Sequence, residues 1–191
     1  MIIGIQGGKG SFNELALQDF CERNDLSGVQ VKYLFTTEKV LQALVAGEIT
    51  YGQFAIHNTL GGLVIETLSV LGTYSFQVVE HFSIAIRHNL MKLPSVSTKE
   101  LTEIMAHDQV LKQCAGTLQK KYSHLEQKTG EGDLADTAAA AQALYEGKMP
   151  EATAILGNPL LADLYQLETI ATDLQDSADN RTTFLIVSRR E

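Results

Sequence analysis

The feature of this sequence that most constrains its fold is a repeated order of segments. A short apolar run is followed by a polar loop and then by a segment whose apolar residues have helical spacing. Such units begin at Ile2–Ile5, Phe54–Ile56, Ile104–Ala106 and Ala152–Leu156. Strands that alternate with helices in this way are typical of α/β proteins. The order therefore predicts an α/β fold with mostly parallel strands.

The same patterns predict the remaining elements. Helices are expected over residues 12–22, 37–46, 63–71, 109–120 and 133–145, and one more is expected to start near Pro159, a residue favoured in the first helical turn. Further strands are expected over residues 29–34, 80–89 and 182–188.

Composition and charge narrow the classes of function. The chain of 191 residues is 45% hydrophobic and 20% charged, which is ordinary for a globular protein. Its net charge is −8 and it has no run of Lys and Arg, which argues against a nucleic-acid partner. No apolar run reaches the roughly 18 residues that span a membrane, and the first residues lack the basic region of a signal peptide. We therefore expect a cytoplasmic protein with no membrane partner.

Cysteine and histidine spacing gives no sign of a metal or a cofactor. Cys21 and Cys114 are far apart and form no CxxC pair, so we expect two reduced thiols. The histidines form no HxxxH or HExxH pair. A GxSxG nucleophile elbow is also missing, which argues against a serine hydrolase. We expect neither a metal ion nor a cofactor.

Polar residues gather in the loops that follow the predicted strands. In open α/β sheets, ligands bind beyond the carboxyl ends of the strands. The first such loop, Gln6–Asn13, contains three glycines, and Ser11 or Asn13 can cap the helix that follows. Free N–H groups at a helix start bind anions, but an ordinary capped turn has the same pattern. The residues alone leave both interpretations open.

Four other loops occupy the same position after a strand. They are His57–Gly62, Ala106–Gln109, Gly157–Pro159 and Asn180–Phe184. A histidine at such a place can act as an acid, a base or a cation, and Asn and Thr side chains both donate and accept hydrogen bonds. In the second of these loops we expect Asp108 to cap the helix. Each loop also fits a plain capping or strand-end role.

Taken together, these loops resemble the catalytic domain of prephenate dehydratases and of the plant arogenate dehydratases. The similar segments, in chain order, are 6–13 with the family's G-x-x-G-[ST]-[YF]-[SH] loop, 55–68 with PIENSxxGxVxETL, 80–90 with the strand that crosses into the second lobe, 106–114 with SHPQALxQC, 136–141 with DTAxAA, and 180–187 with NxTRFxxI. Several spaced motifs in the same order make the resemblance specific, and it extends along nearly the whole chain.

The resemblance implies a two-lobed fold like that of the type II periplasmic binding proteins, with an inter-lobe cleft. Lobe one is expected to comprise residues 1–79 and 175–191, and lobe two residues 80–174. Together they are expected to form one prephenate dehydratase-type domain. Many members continue into an ACT regulatory domain. Because this sequence ends directly after the last catalytic-domain strand, we expect that domain to be lacking.

The sequence departs from the family pattern at four positions. His57 stands in place of the hallmark glutamate and Thr59 in place of the serine two residues later. Asp108 replaces the proline of SHPQ, and Thr183 replaces the arginine of Thr-Arg-Phe. Threonine cannot act as the bidentate carboxylate clamp that arginine provides. Arg181 lies two residues before Thr183, on the same side of a strand, and we expect it to supply the missing charge.

The activity implied by the resemblance is conversion of prephenate to phenylpyruvate, a step of L-phenylalanine biosynthesis. Thr182 is the expected catalytic residue that stabilises the leaving hydroxyl, and His57 as an imidazolium is the alternative acid. The expected substrate-binding residues are Ser11, Phe12, Asn58, Thr59, Gly62, Gln109, Asn158, Thr183 and Phe184.

The expected partner is a small prephenate-like dicarboxylate, and a homodimer is possible. Two alternatives stay open at this point. The first is a divergent enzyme that acts on another cyclohexadienyl or keto-acid substrate. The second is a non-catalytic protein that binds small anions, since one fold carries many functions.

Overall fold

A computed structural model describes residues 1–190, without the side chains of residues 133 and 135. The strands are β1 (Ile2–Ile5), β2 (Gln30–Tyr33), β3 (Tyr51–Asn58), β4 (Gly62–Leu63), β5 (Phe76–Ala85), β6 (Asn89–Lys92), β7 (Glu103–Met105), β8 (Glu126–Lys128), β9 (Thr153–Gly157), β10 (Glu168–Ala171) and β11 (Arg181–Arg189). The α-helices are α1 (Phe12–Arg23), α2 (Thr37–Val45), α3 (Ile65–Leu71), α4 (Asp108–Gln113), α5 (Ala115–Lys121), α6 (Thr137–Tyr145) and α7 (Leu160–Leu164). Short 3₁₀ turns occur at Thr98–Glu100 and Gly132–Ala135.

The chain forms two compact units. The first contains Met1–Ile86 and the segment from Asp179 to the end of the described chain, and the second contains Arg87–Ala178. Residue 191 of the predicted lobe one lies outside the described residues. The predicted lobe boundary, between residues 79 and 80, falls inside β5, which belongs to the first unit as a whole.

The first unit is built on one mixed sheet. Its strand order is β2-β1-β3-β11-β5, and the short β4 pairs with β3. β1 runs parallel to β2 and β3, whereas β11 runs antiparallel to β3 and β5. The chain leaves the first unit after β5 and returns to it just before β11.

Helices cover both faces of this sheet. On one face, α1 contributes Ala16, Leu17 and Phe20 to a cluster that contains Ile3, Ile5 and Phe184. On the other face, α2 contributes Val40, Leu41 and Leu44 to a cluster that contains Phe54 and Val187. Burial on both faces explains why β1 and the residues 54–56 of β3 appear in the sequence as continuous apolar runs.

The second unit has a sheet of the same type. Its strand order is β10-β6-β9-β7-β8, in which β7 is parallel to β8 and β9, while β6 is antiparallel to β9 and β10. Neighbouring residues on a strand enter opposite clusters, as Leu90 and Met91 do on β6 and as Ile155 and Leu156 do on β9. This sheet is therefore also buried on both faces.

The α/β class is confirmed, but the prediction of mostly parallel strands is wrong, because both sheets are mixed. The predicted strand over residues 80–89 is two strands, β5 and β6. Strands β4, β8 and β10 were not predicted, since each has only two to four residues and few of them are buried. Within residues 1–190, no helix combines the length and the apolar character needed to cross a membrane.

The predicted helix over residues 109–120 is broken at Cys114 into α4 and α5. A carboxylate from a distant loop accounts for the break. Asp176 accepts hydrogen bonds of 2.7 Å from the main-chain N–H groups of Gly116 and Thr117, and its own N–H donates to the Gln113 carbonyl at 2.8 Å. In an unbroken helix these groups bond within the helix. A tertiary contact therefore overrides the local pattern.

Candidate functional site

Most of the predicted site residues lie along one edge of the first sheet. Because β1 and β3 are parallel neighbours, the loops that follow them leave the sheet at the same edge. β11 is antiparallel to β3, so its first residues start at that edge too. This topology brings together Ser11, Phe12, His57, Asn58, Thr59, Gly62, Thr182 and Thr183.

The Asn58 side chain forms several hydrogen bonds at this edge. Its Oδ1 accepts hydrogen bonds from the main-chain N–H groups of Leu60, at 3.0 Å, and Gly61, at 2.7 Å. Its Nδ2 donates to the hydroxyl of Thr182 at 3.0 Å and to the carbonyl of Arg181 at 3.1 Å. A single amide therefore shapes the turn after β3 and holds the start of β11.

Thr59 is a second link between β3 and β11. Its N–H donates to the Arg181 carbonyl at 2.9 Å, and its Oγ1 accepts from the Arg181 N–H at 3.0 Å. The Thr59 hydroxyl also donates to the main-chain carbonyl of Asp179. In this structure the Thr59 side chain is therefore a connector between two segments.

Thr183 lies between His57 and Ser83 in the sheet. It pairs with His57 of β3 on one side and with Ser83 of β5 on the other, and the hydroxyls of Thr183 and Ser83 are 2.8 Å apart. The half-buried His57 also pairs with Leu63 of β4. The Thr183 hydroxyl thus has a partner within the sheet.

Arg181 was expected to supply the charge that Thr183 lacks. Its guanidinium Nη2 donates to the main-chain carbonyl of Ser83 at 2.8 Å. The side chain also lines a groove of about 380 Å³ between α1 and β5, together with Gln18, Asp19 and Glu22 of α1. The structure thus gives the guanidinium a partner on β5 and places the side chain in a groove beside α1.

Two aromatic residues of the predicted set have packing contacts. Phe184 is 1% exposed and stacks on Phe82 with 5.9 Å between the ring centroids. Phe12, the first residue of α1, is half-buried against the same core. Phe184 therefore fixes β11 onto the hydrophobic core, directly beyond the two threonines.

The glycine loop after β1 contains a carboxylate that sequence reasoning missed. Ser11 is the N-cap of α1 and accepts from the N–H of Glu14 at 3.4 Å. The Glu14 carboxylate, in a side chain 9% exposed, accepts from the Gly10 N–H at 2.6 Å and from the Tyr33 hydroxyl. A carboxylate of the protein therefore takes donors that an anion would use. The Ser-x-x-Glu spacing of a capping box is the signal that indicates such a contact.

A second carboxylate, that of Glu66 on α3, lies against the first residue of α2. It accepts from the Thr37 N–H at 2.8 Å and from the side-chain amide of Gln6. The Gln6 amide oxygen accepts in turn from the Ala55 N–H at 3.0 Å. The loop after β1, the strand β3 and the helix α2 are therefore joined through polar side chains. No sequence pattern indicated this network.

The backbone conformation at position 62 favours glycine. Its φ angle is +75°, in the left-handed region that favours glycine. A Cβ at this residue would meet no atom within 4 Å, so space is available. Gly62 pairs with Asn58 and lets the chain turn tightly after β3.

In the second unit, β7 and β9 are parallel neighbours, so Gln109 and Asn158 lie at the same edge of that sheet. The prediction that Asp108 caps α4 is wrong. The cap is His107, whose Nδ1 accepts from the Gln109 N–H at 3.1 Å. Asp108 instead forms an ion pair with Lys112, four residues later. Gln109 itself is exposed.

Asn158 lies directly after β9 and is buried. Its Oδ1 accepts from the Leu160 N–H at 3.0 Å, and its main-chain carbonyl accepts from the Leu161 N–H at 3.1 Å. Pro159 is the N-cap of α7, so the helix begins at Leu160, one position after the predicted start. The N–H groups that start α7 are thus bound by Asn158.

Two buried titratable groups of the second unit have shifted pKa values. Burial, with a contribution from Asp176, raises the pKa of the Cys114 thiol to about 12. Burial lowers the pKa of His88, although a hydrogen bond to Gln113 opposes that effect. Among residues 1–190, no three His, Cys, Asp or Glu side chains form a group able to hold a metal ion.

Comparison with known proteins places this arrangement in a family. The prephenate dehydratase family model matches residues 3–191. The chain is 28% identical over 195 residues to a prephenate dehydratase of Bacillus subtilis, which covers 100% of the chain. It is 33% identical over 134 residues to the chloroplastic arogenate dehydratase 5 of Arabidopsis thaliana, which covers 70% of the chain.

A solved structure gives the same result. The prephenate dehydratase from Arthrobacter aurescens, solved in complex with L-Phe, matches 100% of the chain with a TM-score of 0.86 and 25% sequence identity. The chain spans 61% of that protein, 65% of the Bacillus protein and 30% of the Arabidopsis protein. Each of these relatives is thus considerably longer than the present chain.

Proposed function

Because the chain belongs to the prephenate dehydratase family, we propose that it converts prephenate to phenylpyruvate in L-phenylalanine biosynthesis. The observation that carries the proposal is the Thr182 hydroxyl, which lies at the start of β11 and accepts a hydrogen bond from Asn58. The proposed ligand is a small dicarboxylate, and the proposed compartment is the cytoplasm. We also propose that the two units together form one prephenate dehydratase-type domain.

The proposed reaction removes the ring hydroxyl and the ring carboxylate of prephenate together. The electron pair of the bond to the carboxylate carbon moves into the ring, CO₂ departs, and the bond to the hydroxyl oxygen breaks. That oxygen takes up a proton and leaves as water. Formation of the aromatic ring drives the reaction. The protein therefore has to hold the substrate and stabilise the leaving oxygen.

Thr182 is the proposed residue for the leaving oxygen. An amide N–H can only donate, so the Thr182 oxygen accepts the bond from Asn58 and its own proton points elsewhere. A threonine hydroxyl is a weak acid, so its contribution is a hydrogen bond to the leaving oxygen. His57, which pairs with Thr183 beside Thr182, is the proposed source of the proton and of positive charge.

The proposed substrate contacts in the first unit are Ser11, Phe12, Asn58, Thr59, Gly62 and Thr183, with Phe184 supporting β11 from the core. In the second unit, we propose Gln109 and Asn158 as substrate contacts on the basis of the family resemblance. Several main-chain donors in these loops already bind Glu14, Asn58 or Asn158. Substrate carboxylates are therefore expected to rely on side-chain donors more than on the N–H groups of these turns.

Incubation of the purified protein with prephenate tests this proposal. The expected product is phenylpyruvate, which is followed by its ultraviolet absorbance in base. A parallel incubation with arogenate, with phenylalanine as the product, separates the two substrates named among the relatives. If neither product forms above the rate without protein, the proposed activity is wrong.

A second candidate function is action on another cyclohexadienyl or keto-acid substrate, or binding of a small anion without turnover. The observation that favours it is Thr183, which stands where the family pattern has arginine and whose hydroxyl lies 2.8 Å from Ser83. Calorimetric titration with prephenate distinguishes the candidates. Heat of binding without formation of phenylpyruvate supports a binding protein. If neither heat of binding nor phenylpyruvate is observed, a different substrate is supported.

The oligomeric state is a separate proposal. We propose a homodimer, the commonest oligomer among soluble proteins. Sedimentation equilibrium of the purified chain measures its mass in solution. A mass of twice 20.9 kDa is expected, and a mass of 20.9 kDa at all concentrations would refute the dimer.

A further inference from the structure

Asn180, the residue just before β11, lies outside the set of residues assigned so far. Its side chain is 1% exposed. Its Oδ1 accepts a hydrogen bond of 2.9 Å from the Nδ2 of Asn58. Its main-chain carbonyl accepts from the Ile86 N–H at 2.8 Å. A buried polar side chain therefore meets the amide that holds Thr182.

The chemistry of its neighbours fixes which way the Asn58 amide points. Main-chain N–H groups only donate, so the atom that Leu60 and Gly61 bond to must be the amide oxygen. The amide nitrogen then faces the opposite side. There it meets Asn180 Oδ1 and the carbonyl of Arg181, and a carbonyl oxygen only accepts. A flipped amide would set oxygen against oxygen on this side.

The amide nitrogen carries two hydrogen atoms and has three acceptors within reach. They are Asn180 Oδ1 at 2.9 Å, Thr182 Oγ1 at 3.0 Å and the Arg181 carbonyl at 3.1 Å. One N–H of the amide donates to Asn180 Oδ1. The other N–H therefore points towards the Thr182 hydroxyl and the Arg181 carbonyl beside it. Because the Thr182 oxygen is engaged as an acceptor, its proton is directed away from Asn58.

We propose that Asn180 is a positioning residue that fixes the Asn58 amide and, through it, the direction in which the Thr182 hydroxyl donates. This inference rests on the proposed function, since it assigns that direction to the leaving oxygen of the substrate. Asn180 itself does not touch the substrate. Its effect is therefore expected on the rate of the chemical step more than on substrate binding.

The test compares two replacements of the same residue. Asn180→Ala removes the acceptor, whereas Asn180→Asp keeps an oxygen where Oδ1 lies. In Asn180→Ala we expect kcat to fall about 10- to 100-fold, because small misplacements of reacting groups have effects of this size, while KM changes less than about threefold. In Asn180→Asp we expect most of the lost rate to return. The rates are compared per folded molecule, measured by circular dichroism.

A second readout does not depend on catalysis. The side-chain amide protons of Asn58, assigned in nitrogen-15 spectra with Asn58→Asp as the reference, report the hydrogen bond directly. We expect their chemical shifts to move in Asn180→Ala and to stay nearer to wild type in Asn180→Asp. Unchanged Asn58 signals, or an unchanged kcat in folded Asn180→Ala, would overturn the positioning role. If the Asn58 signals shift in Asn180→Ala but the wild-type protein forms no product, the contact is upheld and the proposed activity is refuted.

Discussion

The side-chain amide of Asn58 donates a hydrogen bond of 3.0 Å to the hydroxyl of Thr182, which lies directly opposite it across the β3–β11 pair. The two residues are 124 positions apart in the sequence. Because pairing in a sheet has a period of two residues, a slip of one residue would turn Thr182 to the other face. The place of the hydroxyl therefore depends on the register of β11, which Phe184 in the core helps to fix.

Replacement of Asn58 by aspartate tests the polarity of this contact. One carboxylate oxygen would still accept from Leu60 and Gly61, but the other would face acceptors on Asn180 and Arg181. The Thr182 hydroxyl would then have to donate to the carboxylate. We expect kcat on prephenate to fall by about 100-fold, because the Thr182 hydroxyl would no longer donate to the leaving oxygen. Thr59→Ser, which keeps a hydroxyl at the neighbouring position, is the control and should stay within about fivefold of wild type.

Glu14 is expected to stabilise the first unit. Glu14→Ala removes the acceptor for the Gly10 N–H and the Tyr33 hydroxyl, and we expect a loss of about 1–3 kcal/mol in the free energy of unfolding. Glu22→Ala, which changes an exposed carboxylate on the same helix, should cost less than about 0.5 kcal/mol. Urea denaturation measures both. Equal losses in the two variants would contradict a special role of Glu14.

Glu103 gives a prediction about pH and stability. Burial alone raises the pKa of this carboxyl, but hydrogen bonds from Lys128, at 2.6 Å, and Thr153, at 2.7 Å, outweigh burial and lower the pKa. A lowered pKa in the folded state means that the stabilisation is present above the unfolded pKa, about 4.3 for Glu, and is lost as pH falls through the folded value.

The matching variant is Glu103→Gln. At neutral pH we expect it to be less stable than wild type by about 1–2 kcal/mol, an amount kept small because Lys128 is partly exposed to solvent. The difference should shrink as the pH is lowered below about 4. Urea unfolding at several pH values gives the difference. If the difference in unfolding free energy stays constant as the pH is lowered, the charge of Glu103 contributes nothing to stability.

Cys114 is expected to resist alkylation. Its pKa is raised to about 12 by burial and by Asp176, so almost no thiolate, the reactive form, exists at neutral pH. In a Cys21→Ser variant, iodoacetamide should modify Cys114 only after unfolding in urea. Mass spectrometry of the intact protein counts the added groups. Rapid modification of the native variant would show that the thiol is accessible.

Much of the fold follows from the sequence because apolar periodicity reports burial. Ser11, one of the two predicted caps, is the N-cap of α1, and α2 begins at the predicted residue, Thr37. The first half of β5 has exposed residues on both faces, including Val78 and Val79, so it gives no alternating pattern. Its strand conformation is set by pairing with the distant β11.

The site was predictable in part for a related reason. Polar residues at strand ends indicated Asn58 and Thr182, and the topology brings these ends to one edge of the sheet. The Tyr33 partner of Glu14 and the partners of Glu66 and Asn180 were not predictable, because these are long-range hydrogen bonds that leave no periodic trace in the sequence. The family resemblance indicated which residues matter, and the contacts among them required the structure.

The most direct test of the central claim is kcat on prephenate for wild type, Thr182→Val and Thr182→Ser. Valine keeps the shape of threonine without the hydroxyl, and serine keeps the hydroxyl. The account predicts that wild type forms phenylpyruvate, that Thr182→Val loses about 100- to 1,000-fold in kcat, the size of effect for one lost hydrogen-bond donor to a developing charge, and that Thr182→Ser recovers most of that loss. A Thr182→Val protein as active as wild type, or a wild type that forms no phenylpyruvate, would contradict it.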